Sequence, residues 1–169
     1  TYFENQKKFV SLLSNEPRQQ LVVRLSSSIS NLKYYENSRW LDFDKSLKIN
    51  NGVIPIQNLI TESRLVVHSY DSTGMLETLS QNIPTLVFWQ NNFDHLRKSV
   101  IPEYQMLVDV GIIHLSTKSV ANKVNEIWDN VDGWWSQKNV QEAREKFCNI
   151  YAKNCENPTN TMVSHLVKN

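Results

Sequence analysis

Residues 65–89 constrain the fold more than any other part of the chain. Leu65-Val66-Val67 and Thr85-Leu86-Val87-Phe88 are short, continuous apolar runs. That pattern marks strands covered on both faces rather than strands with one wet side. Between them lie a small polar loop around Asp71-Ser72 and a helical pattern from Thr73 to Gln81. The order is buried strand, polar loop, short helix, buried strand. The loop sits between a strand end and a helix start, where an open α/β sheet places its ligand crevice.

The rest of the chain extends this alternation. Leu21-Val22-Val23 and Ile112-Ile113 read as further buried strands, and a weaker one is expected around Leu47-Lys48-Ile49, closed by the turn signal Asn50-Asn51-Gly52. Helical patterns cover 2–13, 56–62 after Pro55, and 102–110 before the stop residue Gly111. In the last third, Val120, Val124, Ile127 and Trp128 recur at helical spacing, as do Ala143, Phe147, Ile150 and Tyr151 in a helix expected over 140–155. The stretch 131–135 between them reads as an aromatic turn, and 26–44 is hard to read. The expected fold is α/β: a single Rossmann-like domain over 1–169, with an open parallel sheet flanked by helices and a helical C-terminal tail.

Composition removes several classes of function. With 18 basic and 17 acidic residues the formal charge is +1, and no run of one sign stands out. Bulk electrostatic binding to nucleic acid is therefore not expected. No apolar run approaches the roughly 20 residues of a membrane helix, and no signal-peptide pattern opens the chain. Cys148 and Cys155 on one continuous helix would lie about 10 Å apart, too far to bridge. Free thiols fit a reducing compartment, so a cytoplasmic location is expected. The chain starts at Thr1 within a helical pattern, as an excised domain or mature fragment would.

The chemistry concentrates in the loop and helix of the central unit. Backbone N–H groups at a helix start, flanked by the Ser72 and Thr73 hydroxyls, suit phosphate oxygens. Gly74 lets the backbone approach an anion closely. Glu77 lies roughly 7 Å further along the axis, a workable offset from a diphosphate to the ribose diol of one nucleotide. The competing account is that Ser72 merely caps the helix. His68 and Ser69 end their strand at the same crevice, and Gln90, Asn91 and Asn92 follow the next strand. Arg24 follows the first strand, where a cation could neutralise a diphosphate. Asp42-Phe43-Asp44 has a spacing that could hold a divalent ion, but it falls far from Ser72. His68, Asp71 and Ser72 are too close in sequence to converge as a hydrolase triad, and neither a Walker pattern nor Gly-x-Gly-x-x-Gly is present.

The segment 63–89 resembles the nucleotide-sugar half of GT-B glycosyltransferases, on Ser72, Thr73 and Gly74, then Glu77, then Asn82-Ile83-Pro84. More narrowly, Thr78-Leu79-Ser80-Gln81-Asn82-Ile83-Pro84, Phe88-Trp89, Val124-Asn125-Glu126-Ile127-Trp128 and Trp134-Trp135 are similar to a family of bacterial transferases linked to surface-carbohydrate synthesis. The resemblance implies a donor-binding domain, the C-terminal half of a two-domain enzyme that moves a sugar from a nucleotide-diphosphate donor to a cell-surface glycan precursor. Its partners would be the nucleotide sugar and an N-terminal domain, with peripheral membrane association of the full-length protein and no resident cofactor or metal. Ser72, Thr73 and Gly74 would then hold the diphosphate, Arg24 would help neutralise it, and Glu77 would hold the ribose. Val53 and Ile54 would meet the base through backbone groups. A pair of glutamates eight positions apart, frequent in retaining members, is absent: Ser69 and Thr85 stand at those positions. The catalytic residues stay unassigned. Two alternatives remain, a sugar-nucleotide epimerase of the same architecture and an interaction module built on the C-terminal aromatic residues.

Overall fold

The computed structural model describes residues 1–25 and 36–153, together with 157, 159, 163, 164 and 166. Helices and parallel strands alternate through it, as the apolar pattern requires. β1 (Val22–Arg24) pairs with β2 (Lys48–Asn50), and β3 (Val66–His68), β4 (Thr85–Phe88) and β5 (Ile113–His114) form a second ladder in that order. Every pairing is parallel, with Val67 opposite Leu86 and Val87 opposite Ile113. The expected sheet is thus present as two ladders, and no ladder joins β1 to β3 among the described residues. β4 spans the expected Thr85–Phe88, while β1, β2, β3 and β5 run about one residue later than the apolar pattern indicates. Full burial holds only for β4 and β5; β1 and β3 are partly exposed.

Helices supply that cover. α1 (Tyr2–Leu12) packs on α7 (Thr117–Ile127), and Phe9 of α1 stacks on Phe88 of β4 at 5.3 Å between ring centres. α5 (Thr73–Ser80) and α6 (Ile101–Asp109) pack on α9 (Lys138–Tyr151), with Met75, Leu79, Leu107 and Phe147 fully buried. Burying side chains of this size stabilises the fold by about 1.5–3 kcal/mol each. Gly111, at a φ of 75°, ends α6's descent into β5, a left-handed conformation that glycine adopts without strain.

Four elements depart from expectation. α2 (Asn15–Gln20) has no apolar stripe to announce it. α3 (Glu36–Phe43) forms in the hard-to-read stretch, anchored by buried Trp40 edge-on to Phe3 at 5.1 Å; residues 26–35 of that stretch lie outside the described residues. The aromatic turn is a helix, α8 (Val131–Trp135), opened by the Asn130 side chain accepting from the Gly133 N–H at 3.0 Å. A Cβ on Gly133 would lie 2.3 Å from that side chain, so this cap needs glycine. Finally, α9 stops at Tyr151, short of the expected 155; Cys148 is buried and Cys155 lies outside the described residues. α4 (Ile56–Glu62) follows Pro55 over the expected residues.

Candidate functional site

The loop after β3 delivers Ser72 and Thr73 to the start of α5. Ser72 is extended (φ −145°, ψ 165°), and its hydroxyl makes no capping hydrogen bond. Among the described residues, the N–H groups of Thr73 and Gly74 therefore have no acceptor, while Met75 N–H donates to the Ser72 carbonyl at 3.1 Å. These are the orphan donors at the positive end of a helix. Thr73 and Glu77 are exposed, and the Glu77 carboxylate is unpartnered among the described residues. Two hydroxyls, two amides and one carboxylate are thus left without partners among the described residues over the first turns of the helix.

The rest of α5 is held firmly. His68, at the end of β3, is mostly buried, and its Nε2 lies 3.1 Å from Thr78 Oγ1. The Thr78 hydroxyl donates to the Gly74 and Met75 carbonyls, both at 3.1 Å, so it accepts from an Nε2–H imidazole. Burial pushes His68 down to about 4, which keeps the ring neutral. The same ring explains Gly74: a Cβ there would sit 3.1 Å from His68 Cε1. His68 therefore positions the helix, and Gly74 provides room for His68 as well as for any approaching anion.

The far end of α5 is gripped by the C-terminal helices. The buried Arg144 guanidinium of α9 donates to the Leu79 carbonyl at 3.1 Å, a cation at a helix C-terminus where it is favoured. Asn82 takes the left-handed region (φ 58°), and Trp135 Nε1 donates to both its carbonyl and its side-chain oxygen at 3.1 and 3.0 Å. The aromatic tract of the C-terminus thus holds the turn that leads into Ile83-Pro84 and β4.

The other candidates are placed as follows. The Ser69 hydroxyl is engaged by α1, at 2.5 Å from Tyr2 Oη and 3.0 Å from Gln6 Nε2. Arg24 ends β1 opposite Asn50; its Nη1 donates to the Leu25 carbonyl, and its Nε is buried without a partner among the described residues. Val53 is 88% exposed and Ile54 43%, so neither is the ordinary core residue an apolar pair suggests. Asn91 and Asn92 both lie in the left-handed region (φ 71° and 50°), and Gln90 Nε2 donates to Thr117 Oγ1 at 2.9 Å. Asp44 is committed elsewhere: Arg18 donates to it at 2.7 Å and, with Ser46, draws its carboxyl down to about 2. Among the described residues no group of three or more His, Cys, Asp and Glu could hold a metal ion.

One cluster beside Ser72 escaped sequence reasoning. Tyr104 of α6, buried, donates to Asp71 at 3.2 Å from each carboxylate oxygen, and His95 Nε2 lies 3.6 Å from Asp71 Oδ2. Trp89 stands edge-on to His95 at 5.2 Å and to Tyr104 at 6.2 Å. Burial, followed by the Asp71 charge, drives the Tyr104 hydroxyl far above its usual range, so it remains a donor. Only the adjacency of Asp71 and Ser72 could have hinted at this. Two grooves, of about 330 and 350 Å³, lie away from the loop, beside Arg144 and Cys148 and beside His114 and Ser116 respectively. The Ser72 edge, a ledge of exposed and half-buried residues, is recognised by its donors unpaired among the described residues.

Among the described residues no helix is long and apolar enough to cross a membrane. No curated protein and no solved structure matches the chain. Residues 1–166 match the LIC12162 family transferase, nearly the full length, including the Ser72 ledge and the C-terminal helices that brace it. On that match, the chain belongs to the LIC12162 family of transferases.

Proposed function

We propose that this transferase uses the Ser72 ledge to bind a nucleotide-diphosphate sugar, as the donor half of a GT-B-like glycosyltransferase whose acceptor is a surface-glycan precursor. One observation carries the reading: Ser72 leaves the start of α5 uncapped, so the helix amides and the Ser72 and Thr73 hydroxyls stand unpaired at the end of a parallel strand. A serine that only stabilised the helix would accept from one of those amides, a bond worth about 1 kcal/mol. Glu77, exposed and unpartnered further along the helix, supplies an acceptor for a ribose diol. Arg24, whose buried Nε has no partner among the described residues, is a cation for the diphosphate. Metal is not needed when helix amides and a guanidinium share that charge.

The test is a thermal-shift panel of UDP, GDP, CDP, ADP and TDP on this chain and on Glu77→Ala. One nucleotide at about 100 times its dissociation constant adds about 2.7 kcal/mol, and the gain should shrink in the variant. A folded chain indifferent to all five would sink the reading in favour of an interaction module. Alteration of a nucleotide sugar with no transfer to an acceptor would instead indicate an epimerase.

A further inference from the structure

The loop after β4 reverses on itself. Asn91 and Asn92 both take left-handed backbone, and the Asn92 carbonyl accepts from Trp89 Nε1, so the chain is turned back beneath the Trp89 ring. That reversal brings His95 against Asp71, the residue immediately before Ser72. Asp71 is itself fixed by the buried Tyr104 hydroxyl, which lies 3.2 Å from each of its oxygens. Side chains from two separate elements thus converge on one carboxylate beside the ledge. His95 stays 44% exposed in its side chain, against 21% for Asp71, and its Nδ1 has no partner among the described residues.

An acidic residue here is awkward for a site that takes an anion, because like charges in a partly buried setting repel. A histidine on that carboxylate resolves the conflict: one ring nitrogen meets Asp71 and the other stays available to a ligand oxygen. The charged group facing the ring is Asp71, which the neutral Tyr104 hydroxyl bonds.

We infer that His95 is a phosphate ligand of the site, donating to the terminal phosphate of a nucleoside diphosphate seated on residues 72–74, with Asp71 and Tyr104 as the residues that position it. This rests on the donor-site reading above and adds a specificity to it. The ledge alone holds the first phosphate, and His95 distinguishes diphosphates from monophosphates. Asn91 contributes through the turn that returns His95, not through contact with the nucleotide.

The experiment is titration calorimetry of the chain with UDP, GDP, CDP, ADP and TDP and with the matching monophosphates, on wild type and on His95→Gln. His95 is half exposed, so the variant should keep the wild-type melting temperature. In the wild type one diphosphate binds about tenfold tighter than its monophosphate, the size of one charge-assisted hydrogen bond. In His95→Gln that preference disappears while monophosphate affinity is unchanged. The His95 imidazole nitrogen resonances should also move on adding the diphosphate and stay still with the monophosphate. A tenfold preference that survives His95→Gln, with unmoved imidazole resonances, overturns the inference and leaves the donor-site reading intact. Failure of all five diphosphates to bind the folded wild type overturns both.

Discussion

Mild acid should weaken this fold through two buried histidines, above the range in which Asp44 titrates. His68 ends β3 against Thr78, and His114 ends β5 between Ser119 (2.8 Å) and the Gly111 carbonyl (3.0 Å). Burial pushes each ring down to about 4 from an ordinary value of 6.5. The folded chain therefore keeps both rings neutral over a range where the unfolded chain protonates them. Between those two values the unfolded state binds more protons, so stability is complete above about pH 6.5 and is lost as pH falls towards 4. Going from about pH 7.5 to about pH 4.5 costs about 2.5 kcal/mol per histidine, or about 5 kcal/mol together. A domain of this size has only about 5–15 kcal/mol to lose. Asp44, drawn down from 3.8 to about 2 by Arg18, gives up its contribution below that window. Urea midpoints measured at half-unit pH steps would trace the loss. His114→Gln should remove about half of the fall, whatever it does to stability at neutral pH. A midpoint constant from about pH 7.5 to 4.5, or a fall of the same size in the variant, would refute the assignment to neutral buried rings.

Other substitutions test what holds α5. Gly74→Ala gains about 1 kcal/mol of helix preference elsewhere, but here its Cβ meets His68 Cε1 at 3.1 Å; thermal melting should show no net stabilisation and nucleotide binding should weaken. Arg144→Met keeps the side-chain volume and loses the bond to the Leu79 carbonyl; chemical denaturation should show a loss of about 1–3 kcal/mol. Glu77→Ala, by contrast, removes an exposed and unpartnered carboxylate, and its melting temperature without ligand should match wild type, within about 0.5 kcal/mol.

The strand–loop–helix–strand core was legible because its signals are local. The run Thr85-Leu86-Val87-Phe88 has no polar face to expose, and β4 is buried throughout. Asn82, before Ile83-Pro84, takes a left-handed conformation that asparagine tolerates. Where identity depends on distant partners, the sequence is silent. Nothing near His68 announces that its ring packs on Gly74 and bonds Thr78, or that Ser69 is held by Tyr2 and Gln6 across 67 and 63 residues of chain. The Tyr104–Asp71–His95 group is hidden for the same reason: its members sit on three elements with no shared spacing. The aromatic stretch 131–135 looked like a turn because a glycine interrupts it, yet that glycine is what admits the Asn130 cap.

The bracing of α5 has a mechanical consequence. His68 pins the helix to β3 at its midpoint through Thr78, and Arg144 and Trp135 lock its exit. With two points of a rigid rod fixed, the third is determined, so the free amides of its first turn have nowhere to drift. On the proposed reading, an anion would meet dipoles already aimed and spend little of its binding energy on ordering them. Damage in α8 or α9 would then surface as blunted recognition at the opposite end of the helix.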